Sequence, residues 1–409
     1  MNSRRIRTGL TLLRERDFPK LFGAHLVSWF GTSMAPIAMA FGVLELTGSA
    51  RDTGLVVASQ TGAQVIALMF GGVVADRFPR RRVMIVADVC AMAAQASMAM
   101  AFFTGSATVM LLMGLMAMNG VALAFHGPAL MGFIPQVVAR DKLQPANALL
   151  GTARSGATSL GAACAGLLVA VFGAGVAVLV NACTFLASAL FVARITPPLH
   201  QQPAPSTVLS DLRYGFAEFM AHRWLWIIVL QFSLVVAGAH SVYGLIGPAV
   251  AKASLGGAVD WGFIAAAMGI GTLAGGVAAL RLDVRRPMLV ATNCVFLFSL
   301  PALLLASTQW VWLIALGAFV NGVAGQIFGV LWVTTLHRKI PANVLSRVSA
   351  YDNLGSIALA PVGLIGAGFA LESFGQTTTL LLAAGLIIVP TALTLLDREV
   401  RTLRLDRSE

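Results

Sequence analysis

Residues 72–82 read GVVADRFPRRR and join two apolar runs, 53–75 and 83–103. Each run has roughly the 20 residues that a helix needs to cross a bilayer. The joining segment carries four arginines and one aspartate, which cannot lie in hydrocarbon, so it marks one face of a membrane. Because excess Lys and Arg is typical of the cytoplasmic face, the segment predicts a short cytoplasmic loop between two spanning helices.

The composition of the whole chain agrees with a membrane location. Of its 409 residues, 58% are hydrophobic and 11% are charged, and the mean hydropathy is +0.84. Soluble domains have about 25% charged residues, so a soluble fold is excluded. A net charge of +11 would suggest nucleic acid as the partner of a soluble protein. Here the loops account for the charge, and we expect the lipid bilayer as partner and no nucleic acid.

Twelve apolar runs are separated by charged residues and by Gly or Pro turns. They are 21–45, 53–75, 83–103, 107–127, 147–171, 174–193, 224–250, 260–280, 287–306, 310–334, 351–371 and 376–396. If the N-terminus is cytoplasmic, 25 of the 28 Lys and Arg residues fall in the inner segments. This bias predicts a multi-pass protein of the inner (cytoplasmic) membrane with both termini in the cytoplasm.

The longest polar interruption, 194–223, divides the runs into six and six. It begins with a Pro/Gln-rich stretch, which cannot continue a helix, and ends with a pattern typical of an amphipathic surface helix. We therefore predict an N-terminal six-helix half (1–193), a cytoplasmic linker (194–223) and a C-terminal six-helix half (224–409).

The two halves also repeat in sequence. Residues 276–286, GVAALRLDVRR, follow the eighth run as 72–82 follow the second, at an offset of 204 residues. Three arginines match between the copies, but Leu280 stands where the first copy has Asp76. The repeat predicts two pseudo-symmetric bundles in an all-α membrane protein with twelve transmembrane helices.

The spacing Gly-x-x-x-Asp-Arg-x-x-Arg-Arg resembles the loop between helices 2 and 3 of the major facilitator superfamily, with Pro79 in place of the usual glycine. Further stretches resemble its drug and siderophore exporter branch, which includes enterobactin exporters and macrolide or tetracycline efflux pumps. These stretches are 47–50, 128–129 followed by Pro135, 147–148, 269–271, Pro341 with 347–348, and 361–363. The resemblance implies secondary transport, and a gating role in this loop for Gly72, Asp76, Arg77 and Arg81.

No pattern for enzymatic chemistry stands out. The chain has no GxxxxGK[ST] loop for nucleotide, and neither a nucleophile–base pair nor a metal-ligand cluster. We expect no enzyme activity, no cofactor and no metal. Transport would then be driven by an ion gradient, with protons as the candidate ion, or by the substrate alone.

Ionisable residues inside spans are costly and become functional candidates. The coupling candidates are Asp88 in the third span, Arg154 in the fifth and Glu45 near the outer end of the first. For Asp88 the alternative is a structural pair with His126 or Arg81. For Arg154, a structural role and contact with substrate both stay open.

The sequence departs from proton antiporters of the superfamily at three places. Related exporters often have an acid after a glycine in the first span, where this chain has Gly31-Thr32. The fourth span (116–120, MAMNG) lacks their arginine, and the fifth span has Ala162 where their signature has proline. These departures weaken the expectation of proton antiport without affecting that of the fold.

The substrate-binding candidates are uncharged or aromatic residues on spans that border a central cavity in this superfamily. Each has packing as its alternative. They are Trp29, Ser33, Gln60, Gln64, Asn119, Gln231, His240, Tyr243, Asn321, Phe328 and Trp332. Together they favour an apolar or weakly polar small molecule.

The leading interpretation is a monomeric secondary exporter of small, largely hydrophobic compounds such as drugs. One alternative is a dedicated exporter of a siderophore or another self-made metabolite. A second is a receptor with a transporter fold that binds its ligand without moving it.

Overall fold

The computed structural model describes residues 12–139, 142–196, 216–279, 281–282 and 284–404. Within these ranges, the side chains of residues 70–76, 342, 343 and 346 are not described. All regular secondary structure in the described ranges is helical, so the predicted all-α class is confirmed. Most of the predicted linker, residues 197–215, lies outside the described part, and only its end, 216–221, is seen as helix.

The chain forms two compact units, one of residues Met1–Ala204 with Gly256–Ala266, and the other of Pro205–Leu255 with Ala267–Glu409. The helices up to Ala193 are α1 (Phe18–Thr47), α2 (Ala50–Arg77), α3 (Arg80–Thr104), α4 (Val109–Val137), α5 (Leu143–Phe172) and α6 (Ala174–Ala193). In this first unit α2 packs against α4, α3 against α6, and α1 against both α5 and α6.

The later helices are more often interrupted. They are α7 (Arg223–Ser241), α8 (Gly247–Ser254), α9 (Ala258–Ala279), α10 (Pro287–Phe296), α11 (Leu300–Ser307), α12 (Val311–Lys339), α13 (Ala342–Ile357), α14 (Ala360–Thr394) and α15 (Arg398–Thr402). In the second unit α14 packs against α7, α10 against α12, and α11 against α14.

Ten helical segments of the described part are long and apolar enough to cross a bilayer, judged by length and composition. Their mean hydropathy reaches 2.2 in Ala174–Ala193. One segment, Arg347–Thr394, has 48 residues and is divided at Gly375, whose positive φ of 76° is not helical. With this division, and with the 28-residue helix α2 added, the segments are consistent with the twelve predicted spans.

Prolines explain two of the interruptions. A π-helical turn, Val242–Ile246, precedes Pro248, and a 3₁₀ turn, Leu297–Ser299, precedes Pro301. Proline lacks an N–H and clashes with the carbonyl four residues earlier, so the preceding turn widens or tightens to avoid the contact. The seventh and ninth predicted spans are therefore continuous in sequence but locally distorted in structure.

The eleventh span differs most from its prediction. The apolar run was 351–371, but helix α13 already begins at Ala342, and the helix is interrupted between Ile357 and Ala360. Hydropathy detects the part of a helix that lies in hydrocarbon, whereas the hydrogen-bonded helix continues into the polar interface.

Candidate functional site

A cluster of three polar or aromatic side chains links α1 to α5 in the first unit. The Cζ atom of Arg154 lies 3.8 Å from the centre of the Trp29 ring, a cation–π contact. The indole N–H of Trp29 donates a hydrogen bond to Nδ1 of His25 at 3.1 Å, and the two rings meet edge to face with centroids 5.7 Å apart. The structure thus brings two sequence-predicted residues together and adds His25.

Close helix packing creates this contact. A Cβ atom at Gly161 would lie 2.2 Å from the Phe30 carbonyl oxygen and 2.1 Å from Oγ of Ser33, so only glycine permits α5 to approach α1 this closely. Arg154 precedes Gly161 by about two helical turns on the same side of α5. The approach of the backbones therefore holds the guanidinium against Trp29.

A second cluster surrounds Asp88, whose side chain is buried. The Ser188 hydroxyl donates a hydrogen bond to Asp88 Oδ2 at 2.7 Å, and His126 Nε2 lies 3.4 Å from Asp88 Oδ1. Asp88 lies on α3, Ser188 on α6 and His126 on α4, so the carboxylate joins three helices. Of the two basic partners considered from the sequence, His126 is the one beside Asp88.

The arginines of the opening loop bind the ends of neighbouring helices. Arg81 donates from Nε to the Val192 carbonyl at 3.2 Å and from Nη2 to the Ala193 carbonyl. Arg80 donates to the Gly132 carbonyl in α4. Cations are favourable at a helix C-terminus, where the carbonyls lack helical partners. Arg81 therefore caps α6 in this structure.

The other loop candidates are less well defined by the structure. Arg77 is exposed at the end of α2. Gly72 and Asp76 lie in the stretch 70–76, whose side chains are not described, so their predicted gating role stays a prediction. Glu45 is exposed near the end of α1, two residues before its last residue, Thr47.

In the second unit, the π-helical turn Val242–Ile246 contains Tyr243, a predicted substrate-binding residue, and contacts a second one, Asn321. The Asn321 side-chain N–H donates to the Tyr243 hydroxyl at 3.3 Å. His240, which is exposed, lies just before the turn with Nδ1 3.2 Å from the Val236 carbonyl. Single π-turns are frequent at functional sites, so His240, Tyr243 and Asn321 form a second candidate site.

The aromatic candidates of α12 lie in a packed cluster. The Phe328 ring stacks on Phe232 with centroids 4.8 Å apart and on Trp332 with centroids 6.2 Å apart. Trp224 meets Trp332 edge to face at 5.7 Å. Only 6% of Phe328 and 8% of Trp332 are exposed, so in this structure both residues are part of the core of the second unit.

The remaining candidates line helix contacts. Gln60, Gln64 and Ser33 are half-buried, and Asn119 and Gln231 are buried. Gln231 donates to the Thr391 hydroxyl at 3.0 Å. Within the described part, the side-chain oxygens of Asn119 and Gln231 have no hydrogen-bond partner, which leaves an acceptor open in each unit.

Sequence reasoning missed two ionisable residues that the structure places at these clusters. His25 lies one helical turn before Trp29, a spacing that could have identified it. Asp352 accepts a hydrogen bond from the indole N–H of Trp332 at 2.9 Å and one from Ser356 at 3.4 Å. Asp352 is the second residue of the predicted apolar run 351–371. Ser188 gave no sequence signal, because a serine in a span is common.

The described residues hold no group of three His, Cys, Asp or Glu side chains that could bind a metal ion. The clusters instead contain one ionisable group or a pair, surrounded by hydrogen-bond donors and aromatic rings. Spanning helices with ionisable groups of this kind are typical of membrane transport proteins.

The family model of the Major Facilitator Superfamily matches residues 21–356. The chain therefore belongs to this superfamily, as the loop at 72–82 predicted, and is a multi-pass membrane transporter of that class. Among curated proteins it is similar to the enterobactin exporter EntS of Escherichia coli O1:K1, with 24% identity over 416 residues that cover 99% of this chain and 97% of the relative. The Salmonella typhimurium EntS is 26% identical over 417 residues, which cover 99% and 98% of the two chains.

Solved structures share the fold. The nucleoside transporter NupG superposes with a TM-score of 0.74 at 14% identity, covering 93% of this chain and 99% of NupG. A D-xylose–proton symporter gives a TM-score of 0.71 at 14% identity, covering 95% and 99%. These similarities confirm the major facilitator fold.

Proposed function

We propose that the protein exports small, largely hydrophobic compounds, drugs among them, across the cytoplasmic membrane by alternating access. The observation that carries this proposal is the similarity to exporters over nearly the full length of the chain. Membership of a transporter superfamily and two compact helical units support alternating access, in which one helical bundle moves against the other around a binding site.

A largely hydrophobic cargo is supported by the side chains of the candidate sites. Trp29 in the first unit, and Tyr243 with Asn321 in the second, offer aromatic surface and a few polar groups. Sites for small molecules usually combine such surface with a small number of well-placed polar contacts.

Proton coupling is part of the proposal, with Asp88, Arg154 and Glu45 as its candidates. Asp88 is the best supported of them, because its carboxylate is buried beside His126 and Ser188. Uptake of a proton by Asp88 would remove its negative charge and change its contacts with Ser188 on α6 and His126 on α4. A proton could in this way alter the packing of the first unit.

The proposed topology has cytoplasmic termini, two six-helix halves (1–193 and 224–409) and a cytoplasmic linker (194–223) in a monomer. The loop with Gly72, Asp76, Arg77 and Arg81 controls the alternation between conformations. Capping of the α6 carbonyls by Arg81 supports a mechanical role for this loop.

A dedicated exporter of a siderophore or another self-made metabolite is the second candidate. The relatives named above are enterobactin exporters, which favours this candidate. The two candidates differ in breadth of substrate, since a drug exporter accepts many unrelated compounds and a dedicated exporter accepts one.

Accumulation in everted membrane vesicles tests the proposal. Vesicles containing the protein should concentrate several fluorescent hydrophobic dyes when a proton gradient is imposed, and a protonophore should abolish the accumulation. Vesicles without the protein are the control. Accumulation of enterobactin but of no dye would select the dedicated exporter. Stoichiometric binding of the dyes and of enterobactin, without accumulation of either, would refute export and leave a receptor.

A further inference from the structure

We propose that Arg154, Trp29 and His25 form a subsite that binds the carboxylate of an aromatic acid. The inference rests on the proposed function only in taking this ligand to be cargo. It narrows the cargo from largely hydrophobic compounds to those that also carry an anionic group.

The first reason is the uncompensated charge of Arg154. A charged side chain inside a span is costly unless it is paired. Among the residues that the structure describes, no carboxylate forms an ion pair with Arg154, and the guanidinium instead lies against the face of Trp29. The buried acid of the same unit, Asp88, is already bound to Ser188 and lies beside His126. A bound anion would supply the missing charge.

The second reason is the set of hydrogen-bonding groups. The Trp29 indole can only donate, so Nδ1 of His25 must accept, and a neutral His25 carries its proton on Nε2. That Nε2–H and the guanidinium N–H groups are all donors. With the Trp29 N–H already used on His25, Arg154 and His25 present donors and the cluster has no free acceptor. This arrangement favours an anion and repels an organic cation.

The third reason is the geometry of the stack. Trp29 covers one face of the guanidinium, yet the Arg154 side chain remains exposed. The remaining surface of Arg154 is therefore open to a ligand. A planar guanidinium binds carboxylates through paired N–H groups in its plane and stacks on aromatic rings through its faces. A flat acid satisfies both kinds of contact.

Binding to the purified full-length protein in detergent tests the inference. The probes are salicylate, which is anionic at neutral pH, and salicylamide, its neutral analogue of the same shape, each measured by equilibrium dialysis. We expect the wild-type protein to bind salicylate at least tenfold more tightly than salicylamide. Equal affinities for the two probes would overturn the inference. The absence of saturable salicylate binding up to about 10 mM would also overturn it, because weak specific binding has dissociation constants of about 1 mM.

Two variants then test whether Arg154 causes the preference for salicylate over salicylamide. Arg154→Gln should weaken salicylate binding at least tenfold and leave salicylamide binding unchanged. Arg338→Gln removes the same charge from the exposed end of α12 and should alter neither affinity. A purely structural role for Arg154 predicts instead that Arg154→Gln lowers thermal stability and both affinities together. If that variant does not fold, Arg154→Lys keeps the charge and should retain a preference for salicylate.

The result of this binding experiment can be distinguished from the result of the vesicle assay. Preference for the anion in purified protein without accumulation of any compound in vesicles would support this subsite and refute export. Accumulation in vesicles without preference for the anion would support export and refute the subsite.

Discussion

Substitution of two glycines on α12 tests how closely the helices of the second unit pack. A Cβ atom at Gly322 would lie 2.0 Å from the Met268 carbonyl oxygen and 2.8 Å from the backbone nitrogen of Thr272, both on α9. At Gly329, two turns further along α12, no described atom of another helix lies within 4 Å of such a Cβ. The same change, glycine to alanine, should therefore have opposite effects at the two positions.

The size of the effect follows from these distances. A carbon–oxygen contact needs about 3.3–3.6 Å, so Gly322→Ala requires α9 and α12 to separate by about 1.3 Å. The helices cannot tilt easily to relieve it, because Gly271 of α9 makes a reciprocal contact, its Cβ position lying 2.0 Å from the Phe319 carbonyl oxygen of α12. Added volume of one methyl group in a packed interior typically costs about 1–3 kcal/mol. Gly329→Ala should instead stabilise the helix by about 0.5–1 kcal/mol, because alanine loses less backbone entropy than glycine.

Thermal unfolding of the purified variants in detergent, followed by tryptophan fluorescence, measures the difference. Gly322→Ala should unfold at a lower temperature than wild type and reach lower abundance in membranes, whereas Gly329→Ala should match or exceed wild type. The close approach of α9 and α12 would be refuted if both variants were equally stable.

Two further predictions concern coupling and topology. Asp88→Asn keeps an acceptor for the Ser188 hydroxyl but removes the charge. It should therefore abolish accumulation driven by a proton gradient and leave ligand binding intact. If accumulation in vesicles responds to pH as in the wild type, Asp88 has a structural role only. Cysteines introduced at Gln202 and Ser408 should react with an impermeant reagent only from the cytoplasmic side. A cysteine at Ser254 should react only from outside. Reaction of the Gln202 cysteine from outside would contradict the six-plus-six topology.

The fold could be predicted largely from the sequence because its main determinant is local. Any run of about 20 apolar residues satisfies its backbone in a bilayer only as a helix, so the apolar runs predicted an all-helical membrane protein and the composition excluded a soluble fold. The motif at 72–82 predicted membership of the major facilitator superfamily, which the family match confirms. Helix ends and interruptions were less predictable. The break near Ile357 and the π-turn at 242–246 depend on how each helix packs around a proline or a neighbour.

The candidate sites were predictable only in part. Arg154 and Asp88 stood out because a charge in hydrocarbon is costly wherever it occurs. Their partners could not be read from the sequence, since Ser188 is 100 residues from Asp88 and Trp29 lies on another helix from Arg154. Trp332 was expected in a cavity wall and is packed in the core of the second unit in this structure.

The sequence by itself thus determined the membrane class, the all-helical fold and the residues whose charge requires an explanation. These properties depend on hydropathy and on spacing along one chain segment. The tertiary structure alone decided which side of each helix faces its neighbour, and so joined Arg154 to Trp29 and His25, and Trp332 to Asp352. The rotation and approach of helices are set by side-chain packing between segments far apart in sequence, which no local pattern records.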